Sequence, residues 1–112
     1  MKDCIFCKIV AGEIPSKKVY EDDKILAFHD INPVAPVHVL FVPKMHMGSL
    51  NDIDPSNIDY VSHILEKIPE LVKTLGLSNG YRVVINTGAD GRQSVDHLHI
   101  HIIGGRKLSW SF

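Results

Sequence analysis

His97, His99 and His101 alternate in His-Leu-His-Ile-His, placing three of the chain's seven histidines within five residues. On an extended strand this spacing puts the three imidazoles on one face and Leu98, Ile100 and Ile102 on the other. Three readings fit. A strand with an apolar core side and a polar outer side that uses His needs no function. His-x-His on a strand is also a sound chelate, and imidazole is a common zinc ligand. Finally, one imidazole could attack a substrate while its neighbours fix its tautomer and handle protons. The preceding loop favours attack. Thr87–Ser94 holds Gly88, Gly91 and Ser94, and successive amides in such a turn can cradle an anion, with the serine adding a hydroxyl. Aligned histidines beside an anion cradle point to a phosphoryl centre attacked by histidine. Cys4-x-x-Cys7 lacks the preceding strand of a thioredoxin-like unit. It reads either as two plain thiols or as half of a tetrahedral zinc site.

These residues need a scaffold. Ile5–Val10 reads as a short helix ended by Gly12 and Pro15, and Lys18–Glu21 with Ile25–Phe28 as a hairpin turning at Asp22-Asp23. Val37–Pro43 is β-branched and nearly continuous, a strand buried on both faces. Asp54-Pro55 looks like an N-cap and first helical residue. From there Ile58, Val61, Ile64, Leu65, Ile68, Leu71, Val72 and Leu75 keep helical spacing up to Gly76. This predicts an amphipathic helix of about twenty residues, kinked near Leu65–Pro69 by Pro69 and with His63 on its solvated side. Tyr81–Asn86 and Asp96–Ile103 read as the last strands. The predicted class is α+β: an antiparallel sheet of about five strands backed by one long helix, plus a short N-terminal helix.

Composition bounds the function. The chain is 45% hydrophobic and 22% charged with net charge −1, which fits one folded domain over 1–112 and not a disordered chain. There is no basic run, which argues against DNA, RNA and anionic membranes as partners. The longest apolar runs, such as Val39–Val42, are four residues, far too short to span a bilayer. The N-terminus lacks a signal-peptide pattern, and two cysteines make no disulfide framework, so a cytoplasmic location is expected.

The run Asn86-Thr87-Gly88, Gln93-Ser94-Val95-Asp96-His97-Leu98-His99-Ile100-His101-Ile102-Ile103-Gly104-Gly105-Arg106 closely resembles the histidine-triad nucleotide-binding proteins, whose signature is His-φ-His-φ-His-φ-φ with φ apolar. Ile5-Phe6-Cys7-Lys8-Ile9, Glu13-Ile14-Pro15, Ala27–Pro33, Pro36-Val37-His38 and Val42–His46 resemble the same family, so the likeness runs from about Cys4 to Trp110. It implies a purine nucleotide phosphoramidase or nucleotidyl hydrolase, of adenosine 5′-monophosphoramidase type, cleaving at the α-phosphate through a nucleotidyl-histidine intermediate. By position His99 is the nucleophile, His101 orients the phosphate, His38 buttresses the site, and Ser94 contacts the phosphate. Gly88, Gln93 and the loop amides stand around that phosphate and Asn86 lines the pocket beside it. Asp30 holds the ribose hydroxyls with the backbone of His29 alongside, while Phe28 and Ile31 wall the base.

The likeness also implies a homodimer that binds AMP, GMP and their phosphoramidates. In some bacterial-type members it implies a structural Zn2+, here on Cys4, Cys7, His46 and His97, with no metal needed for catalysis. The alternatives are a dinucleoside polyphosphate hydrolase, a nucleotide-binding protein acting mainly through a partner, and a metal-dependent hydrolase using the His97/His99/His101 face directly. In one branch a proline-rich tail reaches the partner subunit's site. This chain ends instead in Ser111-Phe112, and Trp110 and Phe112 could dock on their own core.

Overall fold

Cys4 starts the first helix. Its thiol accepts the amide of Cys7 at 3.3 Å, acting as N-cap of α1, Ile5–Val10, in a computed structural model that describes residues 3–111. Strands β1 (Lys18–Glu21) and β2 (Ile25–His29) follow as the expected hairpin. Its turn is closed by Asp22, whose Oδ1 accepts the amides of Lys24 and Ile25 at 2.8 and 3.0 Å. Strand β3, Val37–Pro43, is buried at every position but the first, as its unbroken apolar run predicts. After a short 3₁₀ turn at Leu50–Asp52 comes α2 (Ile58–Thr74), then β4 (Tyr81–Val84) and β5 (Ile100–Gly104). The strands form one antiparallel sheet in the order β1-β2-β3-β5-β4.

The two faces of the sheet have different covers. Ile25, Ala27, Val39, Phe41, Ile100 and Ile102 pack on one side against Val61, Ile64, Ile68 and Val72 of α2. Leu26, Phe28, Leu40 and Val42 pack on the other against Cys4, Phe6 and Ile9 of the N-terminal segment. The register sets Leu40 opposite His101 and His38 opposite Ile103, which puts the histidines on the α1 side.

Two expectations for the long helix are corrected. The long helix has 17 residues and starts at Ile58, because Asp54 caps a turn instead. Asp54 Oδ1 accepts the Ser56 amide and its own amide donates to Asn57 Oδ1, so 54–57 are committed before the helix begins. Ile58 and Leu65, placed on the apolar stripe by spacing, are 42% and 49% exposed. The helix runs on through Pro69 to Thr74. Pro69 is exposed, so water can satisfy the Leu65 carbonyl that loses its donor. Gly76 ends the helix as expected, at φ +73°, with Leu77 N–H donating to the Val72 carbonyl at 3.0 Å.

His63 is not simply solvated. It donates from Nε2 to Asp22 Oδ2 at 2.6 Å, and the Tyr20 hydroxyl donates to the same oxygen at 2.7 Å, pinning the hairpin to α2. Burial pulls the Asp22 pKa up. The hydrogen bonds from His63, Tyr20 and the turn amides outweigh it and hold the carboxyl well below the usual carboxylate range. No helix among the described residues is long and apolar enough to cross a membrane.

Candidate active site and metal centre

The histidine strand is shorter than its sequence pattern. Only His101 lies within β5, and β4 stops at Val84 rather than Asn86. The ladder with β3 begins at Phe41 opposite Ile100. Ahead of it, Leu98 N–H turns to the Met47 carbonyl at 2.8 Å and His97 Nε2 to the Pro43 carbonyl at 2.8 Å. Side-chain alternation survives the loss of pairing. Leu98, Ile100 and Ile102 enter the core under α2, while the rings of His97 and His99 meet Phe6 edge-on at 6.0 and 5.0 Å.

Hydrogen bonds assign the tautomers. His99 Nδ1 donates to the His97 carbonyl at 2.8 Å, which leaves the lone pair on Nε2. Val34 N–H donates to His38 Nδ1 at 3.2 Å, so the His38 proton is on Nε2. That proton is donated to His101 Nδ1 at 2.8 Å, with Asp30 Oδ2 3.4 Å from the same nitrogen. His101 is therefore protonated on Nε2, an atom that is buried and has no hydrogen-bond partner. Burial, reinforced by His99 and His38, pushes His101 down to about 4, and burial also lowers His38 against the pull of Asp30. Both are neutral at physiological pH. The arrangement offers a nucleophilic lone pair on His99 beside an unspent N–H on His101, the rings 5.0 Å apart.

Other predicted contacts fall unevenly. Asp30 is half-buried; its Oδ1 accepts the Asn32 amide at 2.8 Å and its other oxygen lies toward His38. His29 is exposed, Phe28 is buried edge-on against Phe6, and Ile31 is 91% exposed beside them in sequence. Asn86 is half-buried at the loop entrance, and Ser94 is exposed. Ser94, Cys4 and His46 line one open cleft of about 800 Å3.

Gly88 and Gln93 are hydrogen-bonded within the protein. The Gly88 amide donates to Gln93 Oε1 at 3.1 Å, and Gln93 Nε2 donates to the carbonyls of Gly48 and Val95. The Gly88 amide is paired within the loop, and the Gln93 carboxamide reaches both the loop and Gly48. Trp110 is 92% exposed and does not dock on the core, and Phe112 lies outside the described residues.

Cys4, Cys7, His46 and His97 bring their four donor atoms within 4.8 Å of one another. Cys4 Sγ is 3.3 Å from His97 Nδ1, Cys7 Sγ 3.2 Å from His46 Nδ1, and the two Nδ1 atoms are 3.1 Å apart. Two imidazole nitrogens crowded against each other and against two sulfurs fit a cation at their centre, and the set is that of a closed structural zinc site. The His97 Nε2 bond to Pro43 leaves Nδ1 unprotonated and aimed inward, the outer-shell support a metal-ligating histidine has. Burial pushes His97 down to about 4, keeping it neutral. Among the described residues no metal-competent group joins all three triad histidines: His97 falls with the cysteines, and His101 with Asp30 and His38.

A model of the HIT domain matches residues 11–108. The chain belongs to the HIT domain family. A histidine triad protein from Clostridium difficile is 56% identical, with a TM-score of 0.93 over 97% of this chain and 96% of that one. A HIT family hydrolase from Legionella pneumophila is 44% identical, TM-score 0.93, over 96% and 97% of the two chains. The 14 kDa zinc-binding protein of Brassica juncea is 48% identical over 96% of this chain and 97% of its own length. The α+β HIT architecture expected from the sequence is thus the one found, and the family connects this chain with hydrolases.

Proposed function

We propose that this HIT protein, acting as a single domain over 1–112, hydrolyses purine nucleoside 5′-phosphoramidates by covalent catalysis. The observation that carries the reading is the tautomer pair: a free lone pair on His99 Nε2 beside an unpartnered N–H on His101. His99 Nε2 attacks the α-phosphorus, a P–N bond to histidine forms, and the bond to the leaving amine breaks. The amine leaves with a proton taken from solvent, guided by the hydrogen bond that His101 Nε2–H offers at the reacting centre, so His101 stays neutral. Water then attacks the nucleotidyl group on His99 and gives a proton back to solvent, releasing AMP or GMP and the free imidazole of His99. His38, fixed by Val34, holds His101 in the required tautomer. Ser94 and the free amides after it supply donors to the phosphoryl oxygens.

A Zn2+ on Cys4, Cys7, His46 and His97 fastens the N-terminal segment to the residue whose carbonyl holds His99; it takes no part in the reaction. Two thiols kept as ligands suit the reducing cytoplasm. The free edge of β4, with Tyr81 and Val83 39% and 43% exposed, supports pairing of two copies into a homodimer.

The test is a turnover panel of adenosine 5′-phosphoramidate, a lysyl-adenylate and diadenosine tetraphosphate, each with and without chelator. Fastest turnover of the phosphoramidates, unchanged by chelator in folded protein, is expected. Faster cleavage of the dinucleotide would assign the polyphosphate branch, and no turnover at all would favour a binding protein.

Asp30 is read as the ribose ligand, since a carboxylate can accept two vicinal hydroxyls. Asp30→Ala should weaken AMP binding by about 1–3 kcal/mol, the scale of charge-assisted hydrogen bonds. Calorimetry with a 2′,3′-dideoxy analogue should show far less loss. Equal losses for both ligands would make Asp30 a turn residue and no more.

A further inference from the structure

The loop between β4 and the triad is tightly wound. Gly88 has φ +73°, Arg92 is left-handed at φ +65°, and a Cβ on Gly91 would collide with the Thr87 carbonyl oxygen. A non-glycine residue in the left-handed region costs energy unless its surroundings hold it. Backbone bonds from Arg92 to Ala89 and from Gln93 to Gly88, both 3.0 Å, close the turn, and one side chain braces it from outside. Gln93 takes the Gly88 amide on Oε1 at 3.1 Å and gives its two Nε2 hydrogens to the carbonyls of Val95, at 2.9 Å, and Gly48, at 2.6 Å. It therefore ties the start of the loop to its end and both to a segment 45 residues away in sequence. That segment is not arbitrary. His46 is one of the four converging metal ligands, the Met47 carbonyl accepts the amide of Leu98 between His97 and His99, and the Gly48 carbonyl receives Gln93.

We infer that Gln93 is the positioning residue of the phosphate loop: its carboxamide locks Ser94 and the amides around it in place against a segment that also anchors the nucleophile's strand. The inference rests on the reading of Ser94 and His99 as the phosphate site. Gln93 reaches the substrate only through the loop it holds. A carboxamide is required because the position needs one acceptor and two donors at once. Glutamate has the same shape but, when ionised, turns an acceptor toward two carbonyl oxygens. Protonated, it regains one donor.

The experiment compares Gln93→Met and Gln93→Glu with wild type on adenosine 5′-phosphoramidate, well below each variant's Tm and per folded molecule. Gln93→Met should lower kcat/KM by about tenfold or more, the equivalent of about one lost hydrogen bond in transition-state placement. Gln93→Glu should be worse at pH 8, and its deficit relative to wild type should shrink at least about fivefold by pH 5 as the carboxyl protonates. A role in folding alone would lower Tm in both variants and leave kcat/KM and its pH profile at wild-type values, and that result overturns the inference. An active wild type with unaffected variants thus removes Gln93 alone. A wild type that neither binds AMP nor cleaves the substrate removes the site reading and this role together.

Discussion

His99→Ala is expected to reduce phosphoramidate turnover by several orders of magnitude while AMP binding stays close to wild type and Tm falls modestly. The size follows from losing the group that forms the covalent bond: without it water must displace the amine directly, with only the loop donors to help. Binding should persist because Ser94, the loop amides and Asp30 are untouched. The His99 ring contributes an edge-on contact with Phe6 at 5.0 Å and one hydrogen bond to the His97 carbonyl. Its loss therefore costs packing that His99→Asn, which keeps a donor, can partly restore. Steady-state kinetics with both variants, alongside AMP titration, checks this. Residual activity within about tenfold of wild type would assign the attack elsewhere.

The second large effect concerns the metal centre. Purified protein should hold close to one zinc per chain. Chelation or the double change Cys4→Ser with Cys7→Ser should remove it and lower Tm. A metal that binds only the native state at a hundredfold above its Kd adds about 2.7 kcal/mol to stability, which is about 10–20 °C in a domain near this size. Four donors joining α1, the segment after β3 and the histidine strand explain why the effect is global. Activity measured where the zinc-free protein remains folded should stay within a few-fold of wild type, because the attacking nitrogen is not a ligand. Zinc retained by the double variant, with activity abolished by chelator, would instead move the metal to the triad.

Much of this was legible in the residues. The alternation of His97, His99 and His101 placed the imidazoles opposite Leu98, Ile100 and Ile102, and the core confirms the apolar half. The unbroken run Val37–Pro43 read correctly as a strand buried on both faces. What the sequence hid are choices made between distant segments. The start of α2 was lost to Asp54, whose short side chain prefers its local turn amide. The start of β5 depended on Leu98 choosing the Met47 carbonyl over a β3 partner. His63 looked solvated because nothing local shows that Asp22 lies 2.6 Å away across 41 residues. The family resemblance makes Gln93 a phosphate contact; only the positions of Gly48 and Val95 show which partners its carboxamide has within the protein. A polar residue beside a left-handed non-glycine is the signal that could have marked it, but the φ of Arg92 is invisible in one sequence.

Covalent attack by His99 can be read directly. Wild-type protein mixed with excess adenosine 5′-phosphoramidate and quenched within its first turnovers under denaturing alkaline conditions, where phosphohistidine bonds persist, should show by intact-protein mass spectrometry an adduct of one adenylyl group. Peptide mapping should place it on His99, and His99→Ala should carry none. Substrate consumed with no adduct at any quench time, or an adduct mapped to another residue, would contradict the account.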